Sequence, residues 1–252
     1  MRKNIFFLIT VSVIATLLLS AGLAFAKPRW TPYPIGNSVS EFEANWEVEP
    51  YNPACFSYDV MDGTLTVTAY PNCASERFFA RINDGGQAKE VKADVIKIRS
   101  SGCWRARLLA DPLFVPELVG LPHPDGIDGK RDGKAFHQLA LMSNECYPST
   151  RARLAAHPST EPWMNLHDGN FGFPWTGPVR PDNPSLVGHK YTLILSVLEN
   201  NIDNEISGYG KIKFEVPGLQ QLTGENFIGL SCYSSGDDAS GEARYSNVWV
   251  RN

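Results

Sequence analysis

Arg105 and Arg107 stand two residues apart within Trp104–Ala110, and Gln138 and Asn144 share one parity in and just beyond Phe136–Met142. In an extended chain, residues two apart point to the same side. These four side chains therefore form a planar polar set if the two runs are neighbouring strands. Guanidinium groups grip carboxylate or sulfate in a bidentate fork, and amides match hydroxyls. The competing reading is a plain solvated face, because antiparallel sheets often turn one polar side to water.

A second group is aromatic. Trp163, Phe171, Phe173 and Trp175 flank His167-Asp168. Exposed rings serve as stacking anchors, and the competing reading is a loop held down by its own aromatics. His167 and Asp168 have acid/base chemistry, but chain neighbours seldom form such a unit unaided. Asp125, Asp128 and Asp132 lie in a glycine-rich stretch that suits calcium in composition. Their spacing departs from the EF-hand pattern and Lys130-Arg131 opposes a cation, so the stretch reads as a turn. The nucleophile elbow, the H-E-x-x-H helix and the P-loop are absent.

The elements that must position these groups have a period of two. In Thr64–Ala69 apolar residues alternate with threonines, and Asp62-Gly63 joins this run to Ser57–Met61 as a hairpin. In Lys211–Val216 the residues Ile212, Phe214 and Val216 point inward. Val91–Arg99 alternates with a change of phase between Val95 and Ile96, the mark of a β-bulge. Further strands are expected at Trp104–Ala110, Phe136–Met142, Tyr191–Leu198, Phe227–Cys232 and Tyr245–Val250. The fold class that follows is all-β, a two-sheet antiparallel sandwich. From about 144 to 188 the pattern lapses into a proline-rich stretch that reads as one long loop.

Pairing Trp104–Ala110 with Phe136–Met142 so that Cys103 faces Cys146 puts Trp104, Ala106, Leu108 and Ala110 on one side with Leu139, Leu141 and Ser143. Arg105, Arg107 and Leu109 then share the other side with Gln138, Ala140, Met142 and Asn144. That register favours a Cys103–Cys146 disulfide, with Cys146–Cys232 as its competitor. Cys55 and Cys73 flank the first hairpin and form the natural second pair. Cys232 follows the alternation of Ile228 and Leu230 and points inward as a small hydrophobe.

Five cysteines without a C-x-x-C suit an oxidising compartment. Residues 1–26 agree: Arg2 and Lys3, an uncharged apolar run, then Ala24-Phe25-Ala26 as a cleavage signal. An uncleaved anchor is the competing reading, since the run is about long enough to span a bilayer. Loss of Arg2 and Lys3 with this signal peptide takes the formal charge from −4 to −6. An acidic chain is a poor fit to nucleic acid. We expect a secreted or periplasmic protein with a segment at 27–40 and one sandwich domain over 41–252, not inserted in a membrane once the signal is removed.

The order of the strands carries a resemblance. Val91–Ile98 followed by Ser101-Gly102-Cys103-Trp104-Arg105-Ala106 resembles the central strands of laminarinase-type glycoside hydrolases. His189 and Tyr191 are similar to that group's H-x-Y strand, and Tyr245–Val250 resembles the terminal F-D-N-V-x-V strand of laminin-G-like domains. From about Glu41 onward the chain thus resembles the concanavalin A-like jelly-roll superfamily. That implies a sheet across which glycans lie. The catalytic E-x-D-x-x-E of the laminarinase type is missing, for Ala135–Ser143 holds no carboxylate. Ser246 replaces the aspartate of the family's calcium site, which leaves calcium only a backbone oxygen near Gly63; no cofactor is expected.

The leading reading is an exported, non-catalytic, lectin-like domain that binds a polysaccharide or glycan. Arg105, Arg107, Gln138 and Asn144 would supply polar contacts, and Trp163 and Trp175 an aromatic platform. One alternative is a polysaccharide hydrolase or lyase with an atypical catalytic set drawn from His137, His167, Asp168 and Tyr191. A structural or protein-interaction domain is the other, since fold does not fix function.

Overall fold

The computed structural model describes residues 29–73, 75–123, 129–142, 150–157, 165–172, 187–222 and 224–252. The chain divides at residue 30, and the unit that carries the fold is Thr31–Asn252. Among the described residues, two antiparallel sheets of eight strands make up this unit. The first runs β13 (Gly210–Glu215), β12 (Asn201–Ile206), β11 (Lys190–Leu198), β6 (Glu90–Ser101), β16 (Ser240–Arg251), β4 (Thr64–Ala69) and β3 (Phe56–Met61), with β1 (Thr31–Pro32) also on β16. The second runs β10 (Asn165–Asn170), β9 (Arg151–Ala156), β8 (Lys134–Leu141), β7 (Trp104–Phe114), β15 (Ile228–Ser234), β5 (Glu76–Ile82) and β2 (Trp46–Val48), with β14 (Gln220–Gln221) on β7. Among the described residues no helix is long and apolar enough to cross a membrane.

The expected hairpin is β3–β4. Asp62 and Gly63 both take positive φ, 50° and 70°, as a tight two-residue turn between right-twisted strands demands. On β4, Leu65, Val67 and Ala69 are buried while Thr64, Thr66 and Thr68 stay half-exposed. The only α-helix among the described residues, α1 (Val39–Asn45), has no counterpart in the sequence reading. Ser38 caps it by accepting from the Glu41 N–H at 3.3 Å, and Phe42 stacks on Trp46 at 5.4 Å. Seven residues are too few to display a helical period.

Three expectations need correction. On β6 the phase does not change between Val95 and Ile96. Val91, Ala93, Val95 and Lys97 all point inward, fully buried, and the extra residue of the bulge is Ile98, between the pairs Lys97↔Ala243 and Arg99↔Glu242. A lysine in an inward slot looked like a change of face. Here its Nζ lies 5.0 Å from the Trp104 ring centre and 3.4 Å from the Trp104 carbonyl oxygen. The stretch 144–188 is not one loop, since β9 and β10 lie within it. Arg151 and Arg153 alternate with Ala152 and Leu154, and β10 is a half-exposed edge strand of weak strand formers. The sandwich also takes up the chain at Thr31, ahead of position 41.

The β7–β8 register differs from expectation by two residues. Ala106 faces Leu141 and Leu108 faces Leu139, where alignment of the cysteines would have set Ala106 against Ser143. A slip of two preserves the faces. Trp104, Ala106, Leu108, Ala110, Leu139 and Leu141 all enter the core between the sheets. Cys55–Cys73 is a disulfide with a Cα–Cα distance of 5.4 Å. Cys103 is disulfide-bonded and Cys232 is free and buried, which sets aside a Cys146–Cys232 bond; Cys146 lies outside the described residues.

Candidate functional site

The pleat of the second sheet sends every other side chain away from the core. Its outer face carries Arg77 and Arg81 from β5, Arg105 and Arg107 from β7, and Arg151 and Arg153 from β9. Acidic partners stand among them. Arg77 Nη1 meets Asp111 Oδ2 at 2.5 Å, its Nη2 meets Glu49 at 2.8 Å, and Arg81 also pairs with Glu49. Asp168 accepts from Arg151 at 2.6 Å and from Arg153 at 3.3 Å. A small apolar cluster of Phe79, Leu109, Phe136 and Ala155 fills the spaces between these polar groups.

Arg105, Arg107 and Gln138 meet at the middle of this face. Arg107 donates from Nε to Ser231 Oγ at 3.0 Å and from Nη1 to Gln138 Oε1 at 2.8 Å. Arg105 donates to Ser235 Oγ at 3.3 Å, and both guanidinium groups lie about 5 Å from the Tyr233 ring centre. The three side chains are not solvated: Arg105 is 2% exposed, Arg107 3% and Gln138 0%. Burial, with Arg77 and Arg105 nearby, pulls the Arg107 guanidinium down to about 9, so it stays charged at neutral pH. Asn144, Trp163 and Trp175 lie outside the described residues.

A pocket of about 550 Å³ opens at the Asp111 end of the face, lined by Arg77, Arg81, Asp111, His123, Lys134 and His157 among others. Asp111 Oδ1 takes a hydrogen bond from His157 Nε2 at 2.7 Å. Burial would raise the Asp111 carboxyl, but His157 and Arg77 outweigh it and hold the group below its usual range. A carboxylate acceptor fixes the Nε2–H tautomer of a neutral His157. Sequence reasoning passed over Asp111 and His157. They lie 46 residues apart and meet only through the pairing of β7, β8 and β9. The alternation of Arg77, Phe79 and Arg81 was a readable signal.

No family model matches the chain, and no curated protein matches it. Solved structures do. LamAcat from Zobellia galactanivorans is 14% identical, covers 92% of this chain over 100% of its own, and gives a TM-score of 0.52. The fold is the concanavalin A-like jelly roll. The kappa-carrageenase from Pseudoalteromonas carrageenovora, solved with an oligotetrasaccharide of kappa-carrageenan, is 11% identical over 90% of this chain and 98% of its own, with a TM-score of 0.46. Carbohydrate-binding module CBM66 from Bacillus subtilis is 11% identical over 81% of this chain and 93% of its own, with a TM-score of 0.38.

In this jelly roll β8 turns Phe136, Gln138 and Ala140 to the outer face, none of them a carboxylate. Of the atypical catalytic set considered from sequence, His137 and His167 come together on the Phe214 ring, whereas Asp168 and Tyr191 do not join them. His137 is fully buried against the other sheet, 2.6 Å from Asn204 Oδ1, and burial lowers it to about 4. His167 stacks on Phe214 on that inner side at 5.2 Å, while its neighbour Asp168 faces outward to Arg151 and Arg153. Tyr191 is a core residue packed on His189 and Tyr209. Cys232 is buried, and burial pushes its thiol up to about 12, so it holds no thiolate at neutral pH. Asp125 and Asp128 lie outside the described residues, and Asp132 pairs with Lys134 at 3.2 Å.

Proposed function

We propose that the chain is an exported carbohydrate-binding domain of the jelly-roll class that holds a glycan on the outer face of its second sheet without cleaving it. One observation carries the reading. Strand β8, next in the chain after the strand that begins at Trp104, turns Phe136, Gln138 and Ala140 toward this face, and none of the three supplies an acid or base for glycoside hydrolysis. Arg77, Arg107 and Tyr233 add the planar donors and the ring surface that sugar recognition uses. Trp163 and Trp175 are proposed as an aromatic platform on their sequence alone.

The test is quantitative retention of the purified protein on a panel of neutral, uronic and sulfated polysaccharides. Selective retention that falls on Trp163→Ala or Trp175→Ala, with the fold intact, supports both parts. Normal binding by these two variants removes the platform, and no retention on any polymer removes the reading.

A further inference from the structure

Four of the arginines on the outer face have carboxylate partners: Arg77, Arg81, Arg151 and Arg153. Arg107 differs. It is almost wholly buried, and its contacts are neutral: Ser231 Oγ, Gln138 Oε1 and the Tyr233 ring. The cations that act on it, Arg77 and Arg105, repel it. A buried charge normally sits beside a counter-charge, because desolvation is costly otherwise. Gln138 sharpens the point. Its Oε1 is taken by Arg107, while its Nε2, fully buried, has no hydrogen-bond partner. A buried amide donor left unmet calls for an acceptor.

We propose that Arg107 and Gln138 form an anion subsite, where a carboxylate or sulfate borne by the glycan supplies the missing counter-charge and accepts from the Gln138 amide. The inference rests on the glycan-binding reading and narrows it to acidic polymers. A hydroxyl would satisfy the amide but leave the guanidinium uncompensated. An oxyanion does both, since its several oxygens reach a guanidinium and an amide at once. Arg105, on the same Tyr233 ring, adds positive potential.

Affinity for polygalacturonate, dextran sulfate and neutral laminarin, measured on the full protein and on two variants, tests this. Gln138→Glu places a carboxylate beside Arg107 from within. It is expected to raise the melting temperature and to cut affinity for acidic polymers at least tenfold. Arg107→Gln is expected to lose the acidic polymers to the same extent without loss of fold. Preference of the wild type for polygalacturonate assigns a carboxylate, and preference for dextran sulfate a sulfate. Unchanged affinity for acidic polymers in Gln138→Glu overturns the subsite. Equal retention of laminarin and the acidic polymers by the wild type also overturns it while leaving glycan binding in place, and retention of none overturns both.

Discussion

Asp111 and His137 show how the same sandwich treats a buried charge on its outer side and a buried neutral group on its inner side. Asp111 is ionised and tied to Arg77 and His157. Its carboxyl is held below the unfolded value, so its stabilisation is full above that value and is lost as pH falls through the folded one. Asp111→Asn should cost about 3 kcal/mol at pH 7, as expected for a broken buried pair. Denaturant melts should show that deficit shrinking as the pH falls below the ordinary aspartate value; a deficit independent of pH would contradict the assignment. His137 works in the other sense, buried as neutral imidazole. Between about 6.5 and about 4 the unfolded chain takes up a proton that the folded one refuses. Stability should therefore fall by about 3 kcal/mol across that window. His137→Gln, which keeps a partner for Asn204, should flatten that part of the pH profile, and an unchanged slope would refute it.

At the scale of elements, close backbone approach and turn geometry predict different costs at two glycines. Gly63 has open space around its missing Cβ, so Gly63→Ala meets only the left-handed backbone, about 1 kcal/mol. A Cβ on Gly229 would come within 2.0 Å of the Ala80 carbonyl oxygen across β15 and β5. Gly229→Ala should therefore disrupt that pairing and destabilise far more than Gly63→Ala; equal melting temperatures would contradict the register. Loss of the Cys55–Cys73 staple around β3–β4 should cost about 3 kcal/mol, given the 18-residue separation. The strands were legible in the sequence wherever apolar and polar residues alternate, as in β4 and β13. They were obscured where the inward slot holds a lysine, as at Lys97, or where the residues are poor strand formers, as in β10. The Arg105–Arg107–Gln138 group was also legible, because facing depends on parity and survives the two-residue register difference. Its burial was not, nor was the Asp111–His157 pair, since both depend on what three strands bring together from afar.

For the whole molecule, the proposal that the chain binds a glycan and leaves it whole is supported by a jelly roll with a donor-rich outer face and no carboxylate on β8. Fold alone does not choose between binding and cleavage. The decisive measurement is the chain length of the best-retained polysaccharide, followed by light scattering during prolonged incubation with the saturating protein. A stable complex and an unchanged polymer length are the expected result. A steady fall in polymer length, with new chain ends accumulating in proportion to protein, would contradict it and return the outer face to an enzyme.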